Sequence, residues 1–210
     1  MGVKMRKHKG TYCYLTVGLL TLLFTGCYRG HFGNPETAYK RGDYGTAFNF
    51  FIPLAEQGDA EAQYKLGTMY ANGLFVPKND AVAIEWYRKA AEQGIPGAQL
   101  DLGFMYYNGQ GVPQDYAEAV KWFRKAAEQG NAIAQNNLGA MYYNGQGVPQ
   151  DYILAHMWFS LSVARSPASE NKSRNDAARN RDIVASKMTP AQIAEAQQLA
   201  REWKPKKEGK

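Results

Sequence analysis

Three histidines and two cysteines are the residues in this 210-residue sequence best suited to metal or nucleophilic chemistry, and their spacing argues against both. His8, His31 and His156 form no pair, alone or with a cysteine, at the intervals a metal site requires. His156 lies within a periodic helical stretch and reads as an outer-face position in the register of Glu85 and Lys121, a solvated side chain rather than a ligand. Gly109-Gln110-Gly111 could cradle a phosphate only at the turn from a strand into a helix, whereas here it joins two helical segments. Serine and the acidic residues are plentiful, but none stands at motif spacing from a base. The expected chemistry is therefore recognition: no catalytic residue, metal or cofactor is assigned.

The elements that would carry such recognition repeat along the chain. Met105 to Tyr116, M-Y-Y-N-G-Q-G-V-P-Q-D-Y, returns unchanged at Met141 to Tyr152. Ala-Glu-Gln-Gly falls at 55–58, 91–94 and 127–130, and Trp86, Trp122 and Trp158 keep the same interval. A fixed period of this size means stacked helix-loop-helix units rather than one closed core. Three full units follow from it, 59–94, 95–130 and 131–166, after a truncated opening repeat over 36–58 whose second helix contains Pro53 and should kink there. Asp59 and Asn131 cap the first helices, Pro96 suits the first helical position of the middle unit, and Asn-Gly at 72–73, 108–109 and 144–145 stops them. In the second helices Ala83, Ala119 and Ala155 precede the tryptophans by three residues, small against large as close helix packing demands, so the tryptophans read as core. Glu85 and Lys89 are spaced for an i, i+4 pair. Past Ser166 the period is lost. Residues 167–203 read as capping helices, with an apolar stripe through Ala177, Ile183 and Val184, and with Thr189-Pro190-Ala191-Gln192 as a capping box. Residues 204–210 are a basic tail expected to be disordered.

The patterns A-Q-x-x-L-G-x-M-Y-x-N-G and G-V-P-Q-D-Y-x-x-A-x-x-W-F-R-K-A-A-E-Q-G resemble the Sel-one-like repeat (SLR), a relative of the tetratricopeptide fold, over Tyr44 to Ser166. The resemblance implies an all-α fold, an α/α superhelix (solenoid) acting as an adaptor for protein complexes, with no catalytic residues carried over. Disulfide-rich members linked to β-lactams have a cysteine pair in each repeat, which this chain lacks, so a periplasmic hydrolase or binder of cell-wall material or β-lactams stays the alternative. A purely structural role is a third. Phe75 departs from the pattern where later units have Gly111 and Gly147, so the first loop is expected to take another path.

Within the first helices Ala62, Gln63, Leu66, Gly67, Met69 and Tyr70 are identical in all three units, while positions 61, 64, 65, 68 and 71 change. At helical spacing the two sets occupy opposite faces. The identical face is what stacking requires, and Gly67, Gly103 and Gly139 are read as points of close backbone approach. By resemblance to tetratricopeptide folds the first helices line the concave groove. The groove would then display Tyr64, Lys65, Leu100, Asp101, Phe104, Tyr107, Asn136, Asn137 and Tyr143, a set able to receive an extended or helical segment of an unidentified protein or peptide partner.

The formal charge of +6 is concentrated at the front: Lys4, Arg6, Lys7 and Lys9 supply four, and 6 − 4 leaves +2 for the rest, too little for a nucleic-acid footprint. Those charges precede an apolar run from Thr11 to Thr25, too short to span a membrane and patterned as a secretory signal. With Gly26-Cys27 at its end, residues 1–26 resemble a bacterial lipoprotein signal peptide, although Phe24 stands where Leu is usual. The resemblance implies lipidation of Cys27, a tether over 27–35, and a periplasm-facing place in the cell envelope. Tyr28 rather than Asp favours the outer membrane.

Overall fold

The computed structural model describes residues 34–167, 169 and 171–206. The signal segment, Cys27 and most of the tether lie outside the described residues. Ten helices are described: α1 (Pro35–Lys40), α2 (Tyr44–Glu56), α3 (Ala60–Asn72), α4 (Asp80–Glu92), α5 (Pro96–Asn108), α6 (Tyr116–Glu128), α7 (Ala132–Asn144), α8 (Tyr152–Arg165), α9 (Asn171–Ala185) and α10 (Pro190–Glu202). Each packs on the next up to α9, and both α9 and α10 lie against α8. No strand occurs among the described residues. The fold is thus an all-helical repeat, with α3/α4, α5/α6 and α7/α8 as full units.

Local chemistry sets each unit's boundaries. Asp59 accepts from the Ala62 amide and Asn131 from the Ala134 amide, closing free donors of α3 and α7; Ile95 makes no such bond and Pro96 starts α5 instead. Gly73, Gly109 and Gly145 end the first helices in the left-handed region, at φ of 67°, 69° and 68°. The repeated twelve residues then close on themselves. The amides of Asp115 and Asp151 donate to the carbonyls of Tyr106 and Tyr142, and the Gln114 and Gln150 side chains donate to the carbonyls of Tyr107 and Tyr143. Pro53 does not end α2, which runs on to Glu56.

The first loop does not take the separate path expected of it. Phe75 adopts φ 68°, matching Gly111 at 71° and Gly147 at 70°, despite its side chain. The reason lies in the neighbouring unit. A β-carbon on Gly111 would fall 2.6 Å from the Asp80 carbonyl oxygen, so the later loops press against the helix before them. At the first loop, Gly45, in the register of Ala81 and Ala117, leaves room at the helix start, a β-carbon on it falling 3.1 Å from the Phe75 ring, which also packs 5.5 Å from the Phe48 ring. Local strain at Phe75 is offset by that aromatic contact.

Packing follows the repeat in both directions. The identical face of the first helices is buried at Ala62, Gln63, Leu66, Gly67 and Met69 and at their counterparts in α5 and α7, whereas Tyr70, Tyr106 and Tyr142, identical as well, stay partly exposed. What comes nearest to Gly67, Gly103 and Gly139 is the ring of Tyr87, Phe123 or Phe159 from the same unit's second helix; the backbone approach that the sequence suggested occurs at Gly139, where a β-carbon would lie 3.2 Å from the Ala155 carbonyl oxygen. The buried glutamines join units: Gln99 Nε2 donates to Ala91 O at 3.1 Å, and Gln135 Nε2 to Ala127 O at 3.1 Å. Gln93 and Gln129, at the ends of the second helices, donate back to Gln63 Oε1 and Gln99 Oε1. That ladder stops at the third unit, where Arg165 stands in place of glutamine and turns to the Trp203 ring, leaving Gln135 Oε1 buried without a partner among the described residues. Across the same seams Arg88 donates to the Tyr106 hydroxyl and Arg124 to that of Tyr142, both at 2.7 Å. Trp122 and Trp158 are buried, and Trp86 partly so with Lys89 held 4.2 Å from its ring centre, the place expected for a pair with Glu85.

At the C-terminal end, Ala177 and Val184 of α9 are buried, seven residues and two turns apart on one face. Ile183, read as part of that stripe, is 44% exposed because it sits one residue off that face. Trp203 packs against Trp158 with ring centres 6.2 Å apart. The start of the basic tail is ordered as well: the Lys206 amide donates to Glu128 O and its ammonium pairs with the Glu128 carboxylate at 3.0 Å.

Candidate functional site

The changing positions of the first helices fall into two classes that their sequence spacing did not separate. Positions 64 and 100 lie in the seam between adjacent first helices, and position 136 in the seam between α7 and α9. Tyr64 rests over Gly97, where a β-carbon would come 2.9 Å from the ring. Leu100 is 9% exposed and joins the core of the third unit, so it does not line an open groove as expected; an apolar side chain in a seam is drawn out of water by its neighbours. Asn136 receives the side-chain amide of Asn180 from α9 at 3.2 Å. Lys65 and Asn137 also find partners within the chain. The Lys65 ammonium sits 3.2 Å from the Glu36 carboxylate and 4.9 Å from the Tyr39 ring centre, and Asn137 Nδ2 donates to Ile133 O one turn back.

Phe104, Tyr107 and Tyr143 are partly exposed, each stacked on an aromatic of its own unit: Phe104 on Phe123, Tyr107 on Tyr116, Tyr143 on Tyr152. Tyr143 is further engaged by Lys187, whose ammonium lies 4.7 Å from its ring centre and whose pKa is raised chiefly by the hydrogen bond to its hydroxyl. The C-terminal segment thus engages Asn136 and Tyr143, both still partly exposed, and the part of the face it leaves open runs over α3 and α5.

At the centre of that open part is a polar cluster. The Tyr64 and Tyr87 hydroxyls lie close enough to the Asp101 carboxylate to act on it, and Tyr87 also contacts Thr68 Oγ1 at 3.4 Å. Burial pushes the Asp101 carboxyl up to about 6, with the two tyrosine hydrogen bonds opposing it. The same burial, with Asp101 beside them, raises both tyrosine hydroxyls above their usual range. Asp101 was anticipated from the sequence, but its partner Tyr87 was not. The signal was there: Tyr87 replaces the phenylalanine of Phe123 and Phe159, and a hydroxyl added at a buried ring edge requires a polar partner nearby.

His156 is a correction. It is 3% exposed and aligns with buried Ile84 and Val120, not with the Glu85 and Lys121 register assigned to it. Burial lowers its pKa first and the nearby Arg181 adds to this, while Asp182 opposes; Ser160 Oγ lies 3.5 Å from its Nδ1. Among the described residues no group of three or more His, Cys, Asp or Glu could hold a metal ion, and no helix is long and apolar enough to cross a membrane.

Comparison with known proteins agrees with this architecture. A family model described as the Sel1 repeat matches residues 24–59, 60–95, 96–131 and 132–166. Among solved structures the chain is similar to a Sel1 repeat protein from Oxalobacter formigenes, with 31% identity and a TM-score of 0.62, over 79% of this chain and 72% of that one. It is also similar to a protective antigen of uropathogenic Escherichia coli strains displaying an SLR fold, with 30% identity and a TM-score of 0.54 over 81% of this chain. Only 45% of that antigen is covered, so the chain spans less than half its length. A search among curated proteins finds no match. Four consecutive matched units, the helix pairs that realise them and the glutamine and glycine contacts that join them place the chain in the Sel1 repeat family.

Proposed function

We propose that this chain is a non-catalytic interaction scaffold of the bacterial cell envelope that holds a polypeptide partner along its layer of first helices. One observation carries the reading. Where the units agree, most first-helix residues are buried and serve stacking; where they disagree, α3 and α5 leave Tyr64, Phe104 and Tyr107 partly exposed, with Tyr64 beside Asp101. Partly exposed aromatics beside a fixed polar group are the composition enriched at binding surfaces. Asn136 and Tyr143, read from sequence as part of the same surface, are held by Asn180 and Lys187 of the chain itself, which narrows the proposed contact to the first two full units.

The envelope location rests on the apolar run before Cys27 and on lipidation of that cysteine. Affinity capture with the purified protein tests the scaffold reading. Phe104→Ala and Tyr107→Ala are expected to lose a partner that the wild type retains through washing, while Tyr143→Ala retains it. A partner captured equally by all three variants places the contact elsewhere. For the location, Cys27→Ser is expected to move the protein from the membrane pellet to the soluble fraction, and continued pelleting removes the lipid-anchor reading.

A further inference from the structure

The Asp101 cluster has no counterpart in the other units. The register of Asp101 holds Lys65 before it and Asn137 after it, that of Tyr64 holds Leu100 and Asn136, and that of Tyr87 holds Phe123 and Phe159. Three departures from the repeat therefore meet at one point, which packing alone does not demand, since Phe123 and Phe159 fill the equivalent space without hydroxyls. Asp101 as a residue is partly exposed, and among the described residues no lysine, arginine or histidine forms an ion pair with its carboxylate. Glu61 adds a second negative charge close enough to act on the Tyr64 hydroxyl.

The preceding seam of the same helix layer shows how such a site is completed. There a lysine ammonium, Lys65, lies between the carboxylate of Glu36 and the ring of Tyr39. At the next seam Asp101 stands in the lysine's own register, with the Tyr64 ring on the facing helix and Phe104 one turn along α5, so the charge at that place is reversed and awaits a cation from outside the described residues. A cation placed against it would gain a charge-assisted bond to a carboxylate flanked by two hydroxyls, together with the faces of aromatic rings. One carboxylate offers too few ligands for a divalent ion, and an anion would be repelled.

We propose that Asp101, with the rings of Tyr64 and Phe104 beside it, anchors a lysine or arginine side chain of a polypeptide lying across α3 and α5. This rests on the scaffold reading and adds to it the charge of the residue recognised.

Nuclear magnetic resonance titration of the purified protein tests the anchor with two probes, N-acetyl-lysine methylamide and its neutral isostere N-acetyl-norleucine methylamide. The lysine probe is expected to shift the Asp101 carboxyl carbon and the signals of Tyr64 and Phe104, and the norleucine probe at the same concentration to leave them in place. Asp101→Asn retains an oxygen that can accept from both tyrosines, so the fold is kept, as circular dichroism would verify; it should weaken the lysine probe at least about tenfold. Equal shifts by both probes, no shift at Asp101, or undiminished binding to Asp101→Asn would overturn the proposal. The two readings fail separately. Partner capture that is lost on Phe104→Ala but kept on Asp101→Asn removes the cation anchor and leaves the scaffold, whereas probe binding at Asp101 without any partner loss on Phe104→Ala does the reverse.

Discussion

A carboxylate raised to about 6 by burial is a local cost that a repeat scaffold has no need to carry. Because the folded-state pKa lies above the ordinary value of 3.8, the folded protein binds the Asp101 proton more tightly than the unfolded chain does. Stability from this group is therefore complete below pH 3.8 and is lost as pH rises through about 6. The groups facing it, Tyr64 and Tyr87, stay protonated throughout, and Glu61 reaches it only by way of Tyr64. Asn at this position mimics the protonated acid at every pH. Asp101→Asn is thus expected to raise the melting temperature by about 3–6 °C at pH 7.5, from about 1–2 kcal/mol after discounting for partial exposure, and to lose that advantage by pH 4. Thermal melts at the two pH values check this, and a variant no more stable at pH 7.5 contradicts it. The same scale governs the loops. Gly111→Ala combines φ of 71° with a β-carbon 2.6 Å from the Asp80 carbonyl, and should cost about 2–4 kcal/mol in denaturant unfolding. Gly42→Ala, at φ 80° with nothing within 4 Å, should cost only about 1 kcal/mol. Equal losses would show that left-handed backbone, not the packed carbonyl, dominates at both sites.

Between elements, the units are held by buried amides as well as by apolar area. Gln99 spans the seam to Ala91 and accepts from Gln129, so removing it strands polar groups in a core where no water compensates. Gln99→Leu is expected to cost about 2–3 kcal/mol. Gln135→Leu should cost about 1 kcal/mol less, because Gln135 Oε1 already lacks a partner and only its bond to Ala127 is lost. Paired denaturation curves measure the difference, and an equal or greater loss at Gln135 would mean the ladder contributes nothing. The end of the solenoid poses a related demand. With no further unit to follow, Ala155, Phe159 and Val184 form a shared apolar cluster across α8 and α9, and Trp203 covers Trp158. Ending the chain after Ser166 should expose that surface and drive aggregation, measurable by light scattering against the full chain. A soluble, monomeric truncation with an unchanged melting temperature would show that α9 and α10 are dispensable covers.

Over the whole molecule, fold and site were legible to different degrees. Repetition made the architecture plain: one period, Gly after each first helix, Pro before each second helix and small residues beside tryptophan determine helix pairs that stack, because each unit meets the same chemical environment as the last. The opposition of identical and changing faces was equally local, a matter of 100° per residue, and the structure buries most of the identical face. What the sequence by itself could not decide was which changing residues remain open. Leu100 is lost into a seam, Asn136 and Tyr143 are taken by the C-terminal segment, Lys65 by Glu36, and His156 is covered in the register of Ile84. For Lys65, Asn136 and Tyr143 these outcomes depend on contacts between residues 29 to 44 positions apart, where one unit's side chains meet the next or the non-repeating C-terminus returns. Periodicity describes what each unit shares; only the tertiary structure brings Tyr64, Tyr87 and Asp101, from three different helices, onto a single carboxylate. Helical spacing acts within one helix, while burial, seam and charge are set by the neighbours stacked against it.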